Sequence, residues 1–426
     1  MIKRYFSLIL VFQFGIFGAG FSQQKPLDMS EYEFIKIEKN RIEIPSDSAC
    51  LNNFFAKIDA FSQTGKGNIN VLHIGGSHVQ AGTFSHQMRK NFDFFNGENL
   101  TSRGIIFPFR AAKTNNPTSY SVNFKGEWTS ERNVKRDYSA LLGVTGIAVI
   151  TNDSIAEISV NLNPRGEKRW FMDTLVLIGY AENEKVIPIL KQNDTTYIWG
   201  RQDIENQTYT YILPEKTDTF TIFFLQTENS ADKFVLKGFI PKINSQGIVY
   251  HEVGVNGAAV ISYLRCENFE QELAFIKPDL VIFGIGINDA VDVNFSSEKF
   301  IANYNALIAK VRNVSPDCAF VFITNNDSYR KIRVRRGRYN YQVNQNGVVA
   351  QQAFYEIARQ NCGGVWDKFE IMGGLRSIAK WQHAGLAQKD KIHFTPKGYM
   401  LLGDMLFNAL VEYYENFVSL QKKLCK

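Results

Sequence analysis

Cysteine is scarce in this 426-residue chain, with only Cys50, Cys266, Cys318, Cys362 and Cys425 present. The number is odd, the spacings are wide and no CxxC occurs, so neither a disulfide framework nor a zinc site is expected. Histidine is also sparse, at six residues, and none stands at metal-ligand spacing, so no metal and no cofactor is expected. Neither sign of charge dominates, with 48 Lys and Arg against 42 Asp and Glu. The formal net charge is +6, and loss of Lys3 and Arg4 with a cleaved leader would lower it by two. That balance is too mild to point to a nucleic-acid partner. Beyond the N-terminus no run is apolar enough to span a membrane. No internal repeat and no low-complexity tract occurs.

The start of the chain reads as a signal peptide over residues 1–22. Lys3 and Arg4 are followed by an uncharged apolar run from Tyr5 to about Phe21, and Gly20-Phe21-Ser22 offers small residues for cleavage. The expected location is therefore periplasmic or secreted, with no stable membrane insertion after cleavage. The length calls for two or three domains.

Residues 23–49 are polar and irregular and read as an N-terminal arm. Ile69–Ile74 is a short apolar run ending in Gly75-Gly76, a strand feeding a tight turn, and a helix is expected from His78 to Phe95. The texture changes from about Tyr120 to Lys242. There, short β-rich runs are separated by Asn, Asp, Gly and Pro, as in a β-sandwich. After Gly247 strands and helices alternate, which signals a parallel sheet covered on both faces. The reading is one α/β domain, residues 50–117 and 244–426, interrupted by an inserted β-sandwich at 118–243. The insert has the composition of an independently packed unit, and both its ends are expected near the active face.

In an open parallel sheet, ligands bind beyond the carboxyl ends of the strands. Gly75-Gly76-Ser77-His78 follows the first strand, Gly254-Val255-Asn256-Gly257-Ala258 the second and Gly286-Ile287-Asn288-Asp289 the third. Asp390-Lys391-Ile392-His393-Phe394-Thr395 precedes the last helix. Acyl transfer by a serine needs a base, a group that orients the base and donors for the oxyanion. Ser77 is the candidate nucleophile, His393 the base and Asp390 the orienting acid. The backbone N–H groups of Ser77 and Gly257 and the Asn288 amide are candidate oxyanion donors. Each piece alone is weak; their order and their placement at element ends carry the reading.

The blocks GGSH, GVNGA, GIND and DKIHFT resemble blocks I, II, III and V of the SGNH/GDSL hydrolases. The resemblance implies a flavodoxin-like α/β/α sandwich and hydrolysis of esters, often acetyl esters. The phrases HIGGSHVQAG, GIVYHEVGVNGA and MGGLRSIAKWQHAGLAQKDKIHFTPKGY are similar to those of periplasmic peptidoglycan O-acetylesterases, which carry a carbohydrate-binding-like β domain between blocks I and II. The implied function is a secreted serine esterase that removes O-acetyl groups from a glycan polymer, peptidoglycan foremost. Two alternatives stand beside it: an acetylesterase or O-acetyltransferase acting on another polysaccharide, and a non-catalytic glycan-binding protein on the same scaffold. The chain departs from the family at Gly76, where block I normally has Asp. A working site with altered loop rigidity is expected, and Gly76→Asp should leave activity equal or higher.

Arg330, Lys331, Arg333, Arg335, Arg336 and Arg338 crowd one short segment. They form either a solvated loop or a basic lip that attracts an anionic polymer. Candidate substrate-binding residues are His78, Trp381, Arg333 and Arg335. Trp366 and His73 read as core.

Overall fold

The computed structural model describes residue 29 and residues 31–424, apart from 47, 48, 98, 167, 168, 228–231 and 336. The expected signal peptide and Cys425 lie outside the described residues.

Five parallel strands are buried on both faces, as their near-continuous apolar sequences require. They are Asn68–Gly75, Gly247–Gly254, Leu280–Gly284, Ala319–Ile323 and Gly364–Trp366. Counted along the chain their spatial order is 2-1-3-4-5, with Ile42–Glu43 added antiparallel at the edge beside Gly364–Trp366. This is the doubly wound order of flavodoxin-like sheets. The period-2 alternation of a strand sends neighbouring residues into two different cores. Val71, Ile282 and Val321 pack with the helices Asn52–Thr64, Thr83–Asn96 and Pro396–Leu424. Leu72, Val281 and Phe320 face the helices Ser297–Val314 and Asn346–Gln360. The expected α/β/α sandwich is therefore present. Among the described residues, no helix is long and apolar enough to cross a membrane.

Residues 121–242 build two antiparallel sheets of six and five strands. Their facing rings meet edge to face or tilted: Phe220 lies 5.2 Å from Phe239 and Phe224 lies 4.9 Å from Phe234. The sandwich is not packed independently, contrary to expectation. Leu177 and Phe239 share one continuous core with Leu72 and Phe283 of the parallel sheet. Lys237, on the strand Phe234–Lys242, meets Glu272 of the helix Phe269–Leu273 at 2.8 Å, with both side chains 1% exposed. Burial pushes the Glu272 carboxyl up despite the ammonium beside it. The N–H of Val144 donates to the same carboxylate at 2.9 Å.

One end of this segment lies near the active face, as expected, and the other does not. Pro117 packs against Gly82, just past the Ser77 turn. The other end leads into Gly247, which pairs with Asn68 at the amino end of the parallel strands, away from the active face.

A disulfide joins Cys50 to Cys362, 312 residues apart. It ties the start of the helix Asn52–Thr64 to the turn before the strand Gly364–Trp366. The spacings, which support no disulfide framework, give no hint of this single bridge, because the two cysteines meet only through the tertiary fold. Cys266 and Cys318 are buried free thiols, and burial raises the pKa of each, that of Cys266 to about 12.

Candidate active site

The strand Asn68–Gly75 ends at a turn that only a small residue permits. A Cβ on Gly75 would lie 2.2 Å from Cγ2 of Val79. Gly76 has φ −101° and ψ −137°, outside the left-handed region. Its carbonyl accepts the N–H groups of Val79 and Gln80 at 3.2 and 3.0 Å, so a short helix, Ser77–Gln80, starts at once. The turn therefore lifts Ser77, half-buried, above the carboxyl edge of the sheet.

His393 comes to Ser77 across 316 residues. Its Nε2 lies 2.7 Å from the Ser77 Oγ, and its Nδ1 lies 2.7 Å from Asp390 Oδ2. The other carboxylate oxygen of Asp390 accepts the backbone N–H groups of Ile392 and His393, each at 3.0 Å. One side chain thus fixes both the turn and the ring. Burial opposes ionisation of Asp390, but the hydrogen bonds from the His393 ring and from these two backbone groups outweigh it and bring the pKa to about 2. A depressed carboxylate pKa stabilises the fold above the ordinary value of 3.8, and that contribution fades as the pH falls toward 2. Asp390 is therefore charged throughout the neutral range.

The second and third blocks close on the same point. Gly257 sits at φ +83°, and a Cβ there would meet only Val134 at 3.9 Å, so backbone conformation and not space explains the glycine. Asn288 Nδ2 donates to the Ala258 carbonyl at 2.9 Å. An amide nitrogen carries two hydrogens, so this bond orients the group and leaves one donor for a ligand. A Cβ on Gly76 would lie 3.4 Å from Asn288 Nδ2 and 3.3 Å from the Ala258 carbonyl, which shows how closely the three blocks converge. Asp289 accepts the Val260 N–H at 3.1 Å and joins the second block to the third. Burial outweighs that bond and pushes its carboxyl up to about 7.

Two expected substrate contacts are corrected. His78 is 6% exposed and Trp381 fully buried, so neither lines an open cleft. The His78 ring lies 5.2 Å from that of His393, and its Nδ1 shares a hydrogen bond of 2.8 Å with the Tyr399 hydroxyl. Burial, then the nearby charges of Lys368 and His393, lower its pKa well below the ordinary imidazole value, so it is neutral. Trp381 donates to the Met372 carbonyl at 3.2 Å and packs on Phe394. Both hold the His393 loop from beneath. Arg333 and Arg335 lie on an exposed hairpin, Tyr329–Arg335 paired with Arg338–Val343, and not on an irregular loop.

Four supporting residues escaped the sequence reading. Tyr263 donates to the Gly75 carbonyl at 2.8 Å, and Gln80 accepts the Asn256 N–H at 2.7 Å. Tyr399 bears on His78, and Lys391 on the hairpin. Gln80, Lys391 and Tyr399 fall within the quoted phrases, whereas no local signal marks Tyr263. Among the described residues no cluster of three His, Cys, Asp or Glu side chains forms a metal site.

Residues 233–401 match the model of the GDSL-like lipase/acylhydrolase family. The match holds Gly257, Asn288, Asp390 and His393 and leaves Ser77 outside it. A solved peptidoglycan O-acetylesterase superposes with a TM-score of 0.70 at 19% identity, covering 88% of this chain and 99% of that one. An acetyl xylan esterase is 19% identical over 38% of this chain and 81% of that chain, with a TM-score of 0.30. An esterase from Pseudoalteromonas sp. is 18% identical over 40% and 80%, also with a TM-score of 0.30. No curated protein matches. Residues 233–401 thus resemble the GDSL-like lipase/acylhydrolase family, as the second, third and fifth blocks imply, and the fold is that of the solved O-acetylesterase. The chain is a carboxylic ester hydrolase.

Proposed function

We propose that this chain is an exported serine esterase that removes O-acetyl groups from peptidoglycan. The observation that carries the reading is the continuous relay from Ser77 Oγ through His393 to Asp390, with two contacts of 2.7 Å at the carboxyl edge of the sheet. The Ser77 hydroxyl attacks the acetyl carbonyl while His393 Nε2 takes its proton. The oxyanion receives the backbone N–H groups of Ser77 and Gly257 and the free hydrogen of the Asn288 amide. His393 returns the proton to the departing sugar oxygen, leaving acetyl-Ser77. Water then attacks this ester, again through His393, and acetate leaves. Asp390 stays a carboxylate and holds the imidazole in the tautomer that accepts at Nε2.

Export is supported by the leader-like start of the sequence and by the Cys50–Cys362 disulfide, since such bonds persist in oxidising compartments. The glycan reading is supported by a full-length architecture, sandwich included, in common with a peptidoglycan O-acetylesterase. We assign residues 50–117 and 244–426 to the hydrolase unit and 118–243 to the sandwich. Chromatographic measurement of acetate released from O-acetylated peptidoglycan tests the proposal. Wild-type protein should release acetate, and Ser77→Ala should lower the rate by about 10⁴–10⁶-fold. Release by Ser77→Ala at the wild-type rate would overturn it.

A further inference from the structure

The segment 329–343 holds six of the 48 Lys and Arg residues and none of the 42 acids. The remaining cations equal the acids in number, so the net charge of the whole chain resides in this one hairpin. Among the described residues it forms a two-stranded sheet joined to no other sheet. No ion pair among the described residues involves Lys331, Arg333, Arg335 or Arg338.

The hairpin is rooted at the candidate active site. The N–H of Tyr329 donates to the carbonyl of Lys391, the residue after Asp390, at 3.2 Å. On the other side Arg330 Nη2 donates to the Asp292 carbonyl at 3.2 Å, just beyond the Asn288 block. The register pairs Lys331 with Tyr341 and Arg333 with Tyr339. Residues two apart share a face, so Tyr329, Lys331, Arg333, Tyr339 and Tyr341 all lie on one side. Lys391 is on that side, with its ammonium 4.5 Å from the Tyr329 ring centre and 5.5 Å from that of Tyr341. Lys331 follows, 4.2 Å from the Tyr339 ring centre. Cations and rings therefore alternate from the His393 loop to the hairpin tip. Tyr339 and Tyr341 are 48% and 43% exposed, so much of each ring is open to solvent.

We infer that this face is a docking arm for a carboxylate-bearing glycan polymer, and that it feeds the polymer into the Ser77 site. The cations meet the carboxylates, and the tyrosine faces meet sugar rings. A neutral glycan would leave the cations unmatched, and a polyanion without rings would leave the tyrosines unused. The inference rests on the esterase reading for its substrate, but its test does not need turnover.

Binding of the full-length protein to insoluble, purified peptidoglycan is measured in a Ser77→Ala background, with chitin as an uncharged glycan control. Arg333→Gln with Arg335→Gln should weaken peptidoglycan binding by about tenfold at about 20 mM NaCl. The difference should nearly vanish at about 300 mM NaCl, where screening shortens the reach of charge. Arg333→Lys with Arg335→Lys keeps the charge and should bind as the parent does. Unchanged thermal unfolding would establish that the exposed substitutions leave the fold intact. Undiminished binding by the Gln pair at low salt would overturn the inference. So would equal loss in the Lys pair, or equal loss on chitin. Absence of acetate release by the wild-type protein, with binding intact, would count against the esterase reading alone.

Discussion

The sandwich interface and the carboxyl edge of the parallel sheet use polar groups in opposite ways. At the interface Lys237 and Glu272 form an ion pair sealed from water. At the edge His393 and Asp390 keep 31% and 42% of their side chains exposed, and one Asn288 hydrogen is left without a partner among the described residues. A closed polar pair serves to dock one unit on another. An open relay of the same length, 2.7 Å against 2.8 Å, keeps its bonding capacity for a ligand. Changes at the interface should therefore register in stability, and changes at the edge in turnover.

The largest effect should come from excision. Replacing residues 121–242 with a short Gly/Ser linker would remove the sandwich's share of the core that the two units have in common. No folded hydrolase should remain, as judged by circular dichroism and a small acetyl ester. A folded, active product would show that the two units are separable after all.

Next, Lys237→Met leaves Glu272 buried and unpaired. Chemical denaturation should show a loss of about 3–5 kcal/mol, while kcat of the folded fraction stays near wild type. Pairing it with Glu272→Leu should restore most of the loss. A single variant as stable as wild type would remove the pair from the docking account.

At the edge the signature reverses. Asn288→Ala should lower kcat by about 10²–10³-fold with little change in KM, and with an unfolding midpoint close to wild type. A pure KM effect would make Asn288 a binding residue.

Gly76→Asp should have the smallest effect. The sequence alone favours equal or higher activity, since it restores the family's residue. The new Cβ would instead press on the Asn288 amide and the Ala258 carbonyl. Gly76 is not in the left-handed region, so the backbone offers no objection and the protein should fold. We expect kcat to fall by about tenfold, which is about 1.4 kcal/mol of barrier. A rise in kcat would show that the turn gains more from Asp than the amide loses.

Much of this contrast was legible in the sequence. Each block lies directly after a strand or before the last helix, and the parallel-sheet rule places all such points on one edge. That rule brings Ser77, Asn288 and His393 together although 316 residues separate the first from the last. What escaped was whatever depends on the partner surface. The period-2 pattern of 121–242 marks which residues are buried but not against what, so the core common to both units was missed. His78 and Trp381 sit in polar stretches, and nothing local distinguishes a ring facing a cleft from one beneath a loop. Cys50 and Cys362 carry no spacing signal. The 329–343 segment has alternation but no apolar face, so it reads as a loop; Gly337, at φ +77°, supplies its turn.

The central claim is that His393 activates Ser77. Intact-protein and peptide mass spectrometry after treatment with a serine-directed organophosphonate tests it most directly. The account predicts one adduct per chain, located on Ser77 and formed far more slowly in His393→Ala. An enzyme that still hydrolyses an acetyl ester while Ser77 stays unlabelled, or a Ser77→Ala protein that labels as readily as wild type, would contradict it.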